Sequence, residues 1–354
     1  MKCFLVLLIL NEEFIFCKEL LKVRQFSMQK KIYIAAPAYT ASGGPELLHQ
    51  LCYKLNKFGF CAQMLYYTYG EGKKSIENPI HPHYEVYKNP YTISFEEANS
   101  EEAIVIIPEL AIDLINHIKK SQNMIWWLSV DNYYGYVDIM YKKDIRKEEN
   151  VDIFKLKDSN ILHLVQSCYA MDFVEKRLGI AKEKVYYLSD YLRKDFEVKK
   201  DIMSRKDYCL YNPQKGFDKV LHIMSKNPKI IWLPIENMTP KQVVDLMSEA
   251  KVYVDFGNHP GKDRIPREAA MRGCCVITNK AGSAAYEEDV PIPEKYKFED
   301  IYKSGENIVY LINDIYQNFE SHKREFDAYR KKIEEEESIF DADVLKIFGE
   351  FANE

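Results

Sequence analysis

A complete unit of a parallel sheet is predicted by residues 255–283, which read DFGNHPGKDRIPREAAMRGCCVITNKAGS. Residues 251–256 are apolar and β-branched, which predicts a buried strand. A polar loop of residues 257–263 follows, Pro266 opens a helix, and the next glycine ends it before a second apolar strand at residues 274–278. Strand, loop, helix and strand form the βαβ element of a parallel sheet, in which ligands bind at the carboxyl ends of the strands. We therefore expect a ligand site at this loop.

The loop and the start of the helix favour an anionic ligand. A helix N-terminus presents free amides and the positive end of its dipole, and Lys262, Arg264 and Arg267 add positive charge nearby. A phosphate group fits this environment. Glu268 lies in the first turn, where the dipole is expected to favour its ionised form and where it can accept hydrogen bonds from sugar hydroxyls. The alternative is a solvated basic face beside a helix-starting acid, and these residues alone leave both open.

Length, charge and cysteine usage exclude some classes of protein. A chain of 354 residues is long enough for two domains. Its 49 basic and 54 acidic side chains give a net charge of −5, so we expect no nucleic-acid partner. Eight scattered cysteines have no zinc-site spacing, which predicts a reducing compartment, the cytoplasm, with the inner face of the membrane as an alternative. No metal site is predicted, because His81 and His83 have no acidic or thiol partner nearby and are typical of a surface loop.

The first 27 residues do not fit a secretory signal. An apolar run at residues 4–10 is short, has no small-residue cleavage site and leads into polar residues. It is also too short to span a bilayer. We expect residues 1–27 to come from an upstream start or to form a peripheral helix, with a membrane-surface anchor as the less favoured alternative. Met28 then opens the first domain.

Residues 28–189 predict a doubly wound domain with a ligand-facing first loop. The first strand leads through Gly43 and Gly44 to a helix N-terminus, which makes a second anion-facing loop. This is not the dinucleotide fingerprint, because neither G-x-G-x-x-G nor an acid at the end of the next strand is present. Apolar patterning predicts strands at residues 32–36, 61–67, 103–107, 124–128, 161–165 and 184–188, and helices at residues 46–55, 110–120 and 168–178.

Aromatic and acidic residues follow two of these strands. Tyr133 and Tyr134 lie in a predicted polar and aromatic loop, residues 129–136, after the fourth strand, and Glu109 follows Pro108 after the third. Carboxyl strand ends are where ligands bind, so these residues are candidates for a substrate wall. A packed, tyrosine-rich turn explains the pattern equally well.

The rest of the chain predicts a linker, a second domain and terminal helices. Residues 190–207 are polar without a sustained apolar period, which predicts a linker before a second domain at residues 208–320. The first strand of that domain ends in a Lys215-Gly216 turn, and Thr239 before Pro240 is a helix N-cap signal. Residues 321–354 are expected to form charged C-terminal helices, with the charged run at 331–337 solvated.

Together these features resemble one family of enzymes. Two tandem Rossmann-like domains, the Gly43-Gly44 loop, the Lys215-Gly216 turn and the segment REAAMRGCCVIT followed by Ala281-Gly282-Ser283 are similar to GT-B nucleotide-sugar glycosyltransferases of the retaining kind, glycosyltransferase family 4 or group 1. The resemblance covers residues 31–320. It implies transfer of a sugar from a nucleotide-sugar donor to a glycan, surface-polysaccharide or lipid-linked acceptor, with retention and without a metal or other cofactor.

The resemblance also implies roles for individual residues. Gly43, Gly44 and Lys215 would hold the donor diphosphate, and Glu268 would hold the nucleotide ribose. Lys215 and Arg264 would offset charge on the leaving nucleoside diphosphate. The implied set is completed by Gly261, Lys262, Ile265 and Ser283 on the donor side, Asp131 as a third catalytic residue, and Glu109, Tyr133 and Tyr134 on the acceptor side.

Two positions depart from the family's pattern. Pro260 stands where the family carries a glutamate for the donor sugar, and His259 and Asp263 are the candidate replacements. Val130 stands where the family has the histidine of a His-Asp pair, so only Asp131 is matched. These departures motivate an alternative, a catalytically silent GT-B protein that binds glycans or regulates a partner. A nucleotide-sugar epimerase of the same fold is a further alternative, for which a denser set of carboxylates is expected.

Overall fold

The computed structural model describes residues 30–68, 77–193 and 205–351. The N-terminal extension predicted at residues 1–27 and most of the linker predicted at residues 190–207 lie outside this part of the chain. Within it, two parallel sheets of seven and five strands are built from strands that alternate with helices. No helix in the described ranges combines the length and hydrophobicity needed to cross a bilayer.

The elements of the two sheets follow one another along the chain. The first sheet contains β1 (Lys31–Pro37), β2 (Ala62–Tyr67), β3 (Tyr91–Thr92), β4 (Ala103–Pro108), β5 (Gln122–Trp127), β6 (Leu162–Val165) and β7 (Val185–Tyr187), with helices α1 (Gly43–Lys57), α2 (Phe95–Ala98), α3 (Val130–Tyr141) and α4 (Cys168–Asp172), the last followed by a π-helical turn at Phe173–Arg177. The second sheet contains β8 (Lys206–Tyr211), β9 (Ile231–Pro234), β10 (Ala250–Asp255), β11 (Cys275–Asn279) and β12 (Lys297–Phe298), with helices α5 (Phe217–Lys226), α6 (Pro240–Glu249), α7 (Arg264–Met271), α8 (Gly305–Gln317), α9 (Phe319–Arg324) and α10 (Asp327–Phe351). Short 3-10 helices lie at Pro82–Tyr87, Glu109–Asn116, Lys182–Lys184, Gly282–Ala285 and Glu294–Tyr296.

Strand order gives each sheet one point where ligands are expected. The first sheet runs β3-β2-β1-β4-β5-β6-β7, so the direction of winding reverses between β1 and β4. The second runs β12-β11-β10-β8-β9 and reverses between β8 and β10. Open parallel sheets bind ligands in the crevice at such a reversal. The segments that leave these four strands contain Gly43, Glu109, Lys215 and the 257–263 loop, which are the regions singled out by sequence.

Both faces of each sheet are buried, which is why the strands read as continuous apolar runs. In β1, Ile32 and Ile34 pack into one core with helix α1, while Tyr33 and Ala35 pack into the core on the other face. The crevice loops are thereby held at the ends of rigid strands.

The long helix α10 returns to the first domain. Its Phe340, Val344 and Phe348 join the core beneath helix α1, and the buried ammonium of Lys54 in α1 pairs with Glu337 and Asp341 at 2.6 and 2.7 Å. The prediction that residues 331–337 are solvated is wrong for Ile333 and Glu336, which are both buried. A charged helix can still bury one side along its length, and the buried side of α10 packs against both domains.

The helices beside the two crevices differ slightly from those predicted from sequence. Helix α7 begins at Arg264 rather than at Pro266, so Arg264 belongs to its first turn. Gly43 and Gly44 form the first turn of α1 rather than a loop before it. The helix expected over residues 110–120 is a 3-10 helix at Glu109–Asn116. The predicted N-cap at Thr239 is confirmed by a reciprocal capping box.

Candidate active site

One cavity of about 560 Å³ lies between the two domains. The crevices of both sheets open into it. From the first domain it is lined by Pro37, Ser42, Gly43, Gly44, Pro45, Leu47, Leu48, Tyr67, Pro108, Glu109, Leu110, Leu128, Ser129, Asn132, Gln166 and Asp190, and from the second by Lys215, Pro260, Gly261, Lys262, Asp263, Arg264, Ile265 and Glu268.

The turn after β8 carries Lys215 into the cavity. Its ammonium donates to the Asp263 carboxylate at 2.6 Å and is about one third exposed. Gly216 has φ +60, and a Cβ at this position would lie 2.4 Å from the carbonyl oxygen of Phe256. Only glycine therefore lets the turn pack against the end of β10, and this contact fixes the backbone position from which the Lys215 side chain extends.

Asp263 belongs to a buried polar network behind the cavity. His259 Nδ1 lies 3.0 Å from Asp263 Oδ2, and its Nε2 lies 3.7 Å from Asp255 Oδ1. Burial alone would lower the pKa of His259, but the two carboxylates outweigh it and raise that pKa above its ordinary value. Burial likewise would raise the pKa of Asp263, but His259 and Lys215 hold it below the ordinary value. Of the two predicted sugar contacts, Asp263 lines the cavity, whereas His259 is buried behind it.

The same three residues are the one group of metal-ligand type in the described ranges. One ligand atom each from Asp255, His259 and Asp263 lies within 4.8 Å of the others. The Lys215 ammonium lies 2.6 Å from Oδ1 of Asp263 and already supplies positive charge to this group. The donor set is therefore already compensated by the protein's own cation.

Arg264 lies in the first turn of α7, and Glu268 lies one turn later rather than in the first turn as predicted. Both face the cavity, with Nε of Arg264 3.5 Å from Oε1 of Glu268. Burial raises the pKa of Glu268, and the attraction of Arg264 only partly offsets this. The expectation that the helix dipole favours its ionised form is therefore wrong in direction, because desolvation is the larger effect here. Ile265 provides an apolar patch beside these two residues.

Lys262 and Arg267 were expected to offer positive charge to an anionic ligand, but both side chains pair with buried carboxylates instead. The Lys262 ammonium lies 2.7 Å from Glu336 and donates to Ser189 at 3.0 Å. The Arg267 guanidinium lies 2.5 Å from Asp190 and 2.8 Å from Glu336. Both cations are more than nine-tenths buried and neutralised by carboxylates, so neither charge is directed at a ligand in the cavity.

The rest of the 257–263 loop contacts the first domain. The Val130 amide, at the start of α3, donates to the Pro260 carbonyl at 2.9 Å. A Cβ on Gly261 would lie 2.1 Å from the carbonyl oxygen of Leu128, so the two backbones meet directly. Ser283 is fully buried and donates to the Gly261 carbonyl at 2.7 Å, which makes it a support for the loop rather than part of the cavity lining.

Gly43 and Gly44 bring the N-terminus of α1 to the opposite side of the cavity. A Cβ on Gly43 would meet no atom within 4 Å, so this turn is open to the cavity. Ser42, just before it, is held by the Tyr84 hydroxyl, which accepts from the Ser42 amide at 3.0 Å and donates to its carbonyl at 2.9 Å. The turn is therefore fixed in place before any ligand binds.

Glu109 lines the cavity from the end of β4 and is almost fully buried. Its Oε2 accepts a hydrogen bond from the Leu128 amide at 3.0 Å, which ties the ends of β4 and β5 together. Burial raises the pKa of Glu109 to about 8. A carboxyl group with such a pKa can exchange a proton near neutral pH.

Three predicted residues of the first domain do not line the cavity. Tyr133 is fully buried, packs edge-on against Trp127 at 5.1 Å and donates to a backbone carbonyl. Tyr134 packs against Phe173 at 5.4 Å. Packing of the two tyrosines is therefore confirmed, but the predicted loop or turn at residues 129–136 is wrong, because the segment forms helix α3 after its N-cap Ser129. Asp131 accepts from the Tyr169 hydroxyl at 3.0 Å instead of facing the cavity.

Ser129, Asn132 and Gln166 complete the polar lining of the first domain. The first two belong to the predicted segment 129–136 without having been singled out, and sequence reasoning missed Gln166. Asn132 lies in the first turn of α3, where the Ser129 side chain accepts from its amide and caps the helix. Gln166 follows β6 and accepts from the Lys262 amide at 3.1 Å across the domain boundary. All three directly follow strands β5 and β6, so their place at carboxyl strand ends was the signal that could have found them.

No protein-family model and no curated protein matches the sequence. Solved structures do match over nearly the whole chain. A glycosyltransferase from Rickettsia africae is 11% identical over 92% of this chain and 99% of its own, with a TM-score of 0.59. HepE from Anabaena, in complex with UDP-glucose, is 9% identical over 91% of this chain and 99% of its own, with a TM-score of 0.60. Sucrose-phosphate synthase from Thermosynechococcus elongatus is 12% identical over 91% and 98%, with a TM-score of 0.61.

These likenesses define a fold. The chain has the GT-B architecture, two Rossmann-like domains that face a central cleft, and the predicted fold class is confirmed. The cavity described above occupies that cleft.

Proposed function

We propose that the protein is a glycosyltransferase that transfers a sugar from a nucleoside-diphosphate donor to a glycan or surface-polysaccharide acceptor, with retention and without a metal ion. One observation carries the proposal. The winding reversals of both sheets open into a single cleft, and that cleft contains two cationic groups and one buried carboxylate on the donor side, contributed by Lys215, Arg264 and Glu268.

Most of the positively charged and hydrogen-bond-donating groups of the cleft suit the diphosphate of the donor. The N-termini of α1 and α7 point amides and positive dipole ends at it from opposite sides. Lys215 and Arg264 supply positive charge, which offsets the charge that builds on the departing nucleoside diphosphate. An arriving phosphate shares or replaces Asp263 as the partner of Lys215, whose ammonium Asp263 holds in position at 2.6 Å.

Glu268 suits the nucleotide ribose. Its carboxylate is buried at the cavity wall and lies beside Arg264, so two vicinal hydroxyls could donate to it. A sugar hydroxyl also replaces the water that burial has removed, and this favours the ionised carboxylate. The Anabaena protein HepE binds UDP-glucose and UDP, which supports a uridine nucleotide as the first donor to test.

The acceptor is expected to enter from the first-domain side of the cleft. Glu109, Ser129 and Asn132 line that side and can hydrogen-bond a hydroxylated acceptor. In a retaining transfer the acceptor hydroxyl attacks from the face that the phosphate leaves. We expect the domains to close around the donor, which would expel water from the cleft and limit hydrolysis of the donor.

A catalytically silent GT-B protein is the second candidate, and specific observations favour it. Pro260 offers a backbone carbonyl to Val130, and no side chain at that position can hold a sugar hydroxyl. Asp131 pairs with Tyr169 away from the cavity. Such a protein would bind a nucleotide or a glycan without turning over a donor.

Calorimetric titration with UDP, GDP, dTDP and CMP separates these candidates when it is followed by donor turnover in the presence of EDTA. A nucleotide-specific affinity together with sugar release or transfer in EDTA supports a metal-independent transferase. Binding without turnover of any tested nucleotide sugar, or no binding at all, favours the silent protein. Turnover that requires added Mg²⁺ or Mn²⁺ contradicts the metal-independent mechanism and keeps the transferase.

A further inference from the structure

Four charged side chains form a closed, buried network between the donor loop and the C-terminal helix. Arg267 lies 2.5 Å from Asp190 and 2.8 Å from Glu336, and Lys262 lies 2.7 Å from Glu336 and 3.9 Å from Asp190. Each of the four is less than 10% exposed. Two cations and two anions cancel, so the network carries no net charge.

Arg267 also binds the backbone of the loop. Its Nε donates to the Asp263 carbonyl at 3.1 Å, and one terminal NH₂ donates to the Lys262 carbonyl at 3.0 Å. These carbonyls belong to the two residues directly before Arg264, which faces the cavity. Because a guanidinium is planar and its donors have fixed directions, its contacts fix orientation as well as distance.

Glu336 connects this loop to the first domain. It lies on α10, where the next residue, Glu337, and Asp341 pair with the buried Lys54 of α1. Phe340, one turn after Glu336, belongs to the core of the first domain. The network therefore joins the donor loop, the chain segment that leaves the first domain at Asp190, and the C-terminal helix.

We propose that Arg267 is a positioning residue for the donor site and that Glu336 anchors it, so that helix α10 controls nucleotide affinity although none of its described residues lines the cavity. The readout in nucleotide affinity rests on the proposed function. Without Arg267 the two loop carbonyls lose their hydrogen-bond donors, and the loop samples several conformations. Because only some of these conformations bind the nucleotide, the apparent nucleotide affinity falls.

A purely structural role predicts something different. Buried ion pairs are weak evidence for stability, and removal of one partner destabilises mainly because the other charge is left buried alone. Single substitutions in this network would therefore lower stability whatever the loop does. The test must remove one cation and one anion together.

Two double variants meet this condition. Arg267→Met/Glu336→Gln removes both carbonyl contacts and leaves Lys262 with Asp190. Lys262→Met/Glu336→Gln keeps the carbonyl contacts and leaves Arg267 with Asp190. Both double variants lose one positive and one negative charge, and both lose the Glu336 carboxylate that links the network to α10. The difference between them is whether the hydrogen bonds of Arg267 to the loop carbonyls are kept.

The measurements are amide hydrogen exchange over residues 257–263 without ligand, and the Kd for UDP by calorimetry. We expect Arg267→Met/Glu336→Gln to accelerate exchange in this loop at least tenfold and to weaken UDP binding at least tenfold, with a clearly smaller change for Lys262→Met/Glu336→Gln. Glu336→Gln alone is expected to lie between the wild type and Arg267→Met/Glu336→Gln in both measurements.

Equal effects of the two double variants, or unchanged loop exchange in Arg267→Met/Glu336→Gln, would overturn the proposal. If the wild type binds no nucleoside diphosphate, the proposed function fails, but the exchange comparison still decides the role of Arg267. If Arg267→Met/Glu336→Gln does not fold, Arg267→Lys keeps the charge without the planar donors and should accelerate loop exchange in the same direction; unchanged exchange in that variant contradicts the proposal.

Discussion

Lys215→Ala removes a cation from the cleft and leaves the Asp263 carboxylate without the ammonium that lies 2.6 Å from it. The lost charge-assisted hydrogen bond to a phosphate oxygen is worth about 1.5–3 kcal/mol, or roughly 10- to 150-fold in Kd. A phosphate charge about 5 Å from the uncompensated carboxylate adds a repulsion of roughly 3 kcal/mol at an effective dielectric constant of about 20. Because Lys215 is 32% exposed, solvent screens much of that repulsion. We therefore expect UDP to bind roughly 100-fold more weakly.

Calorimetry with UDP on the wild type, Lys215→Ala and Lys215→Ala/Asp263→Asn checks both parts of this reasoning. The double variant removes the repelling carboxylate and should recover at least threefold in Kd relative to the single variant. Thermal melts serve as the control, since a partly exposed side chain should contribute little to stability. An unchanged Kd in Lys215→Ala would remove this residue from the site. A double variant no better than the single one would show that Asp263 does not face the phosphate.

Three further predictions follow from the cavity and its supports. Glu268→Gln keeps the shape and one acceptor oxygen, so it should weaken UDP binding several-fold but leave turnover at saturating donor; normal binding with turnover lost by orders of magnitude would assign the residue to the chemical step. Burial raises the pKa of Glu109 to about 8, so the folded protein holds this proton more tightly than the unfolded chain, and the stability of the protein should fall as the pH rises from about 5 to 8. Thermal melts of Glu109→Gln should show a smaller fall in stability over this range; a fall as steep as that of the wild type contradicts the prediction. Gly261→Ala puts a carbon 2.1 Å from the Leu128 carbonyl oxygen and should lower Tm by several degrees, whereas Gly43→Ala, whose added carbon meets nothing within 4 Å, should keep the Tm but weaken UDP binding; equal melting temperatures would refute the contrast.

The fold was accessible from sequence because buried parallel strands leave a simple signal. Residues 251–256 and 274–278 were predicted as apolar strands and form β10 and β11 within one or two residues. The loops at strand ends were equally visible, since glycine and polar residues interrupt the apolar runs. Gly43, Lys215 and the 257–263 loop accordingly lie where the pattern predicted a ligand site.

The direction of individual side chains was not accessible. Lys262, Arg264 and Arg267 lie within six residues of one another, and sequence gave no reason to separate them. Arg264 faces the cavity, while Arg267 turns to Glu336, a residue 69 positions later on a helix predicted to be solvated. A partner that far along the chain leaves no local pattern. The pKa of Glu268 failed as a prediction for a related reason, because the burial that raises it leaves no local pattern in the sequence.

The departure at Pro260 changes where recognition of the donor sugar is expected. The backbone at this position contacts the first domain through the Val130 amide, so the loop makes an interdomain contact at the position for which the resemblance implies a glutamate side chain. Hydroxyl recognition must then come from other side chains of the lining, and Asn132 is a neutral polar one on the opposite wall, at the start of α3. Asn132→Ala should therefore weaken UDP-glucose binding several-fold and leave UDP binding unchanged, because UDP has no sugar to lose contact with. Calorimetry with both ligands measures the difference, and Ser42→Ala, on the α1 side of the cavity, serves as a comparison. An equal loss for both ligands in Asn132→Ala would assign the residue to the nucleotide, and no loss for either would leave the sugar to the second domain.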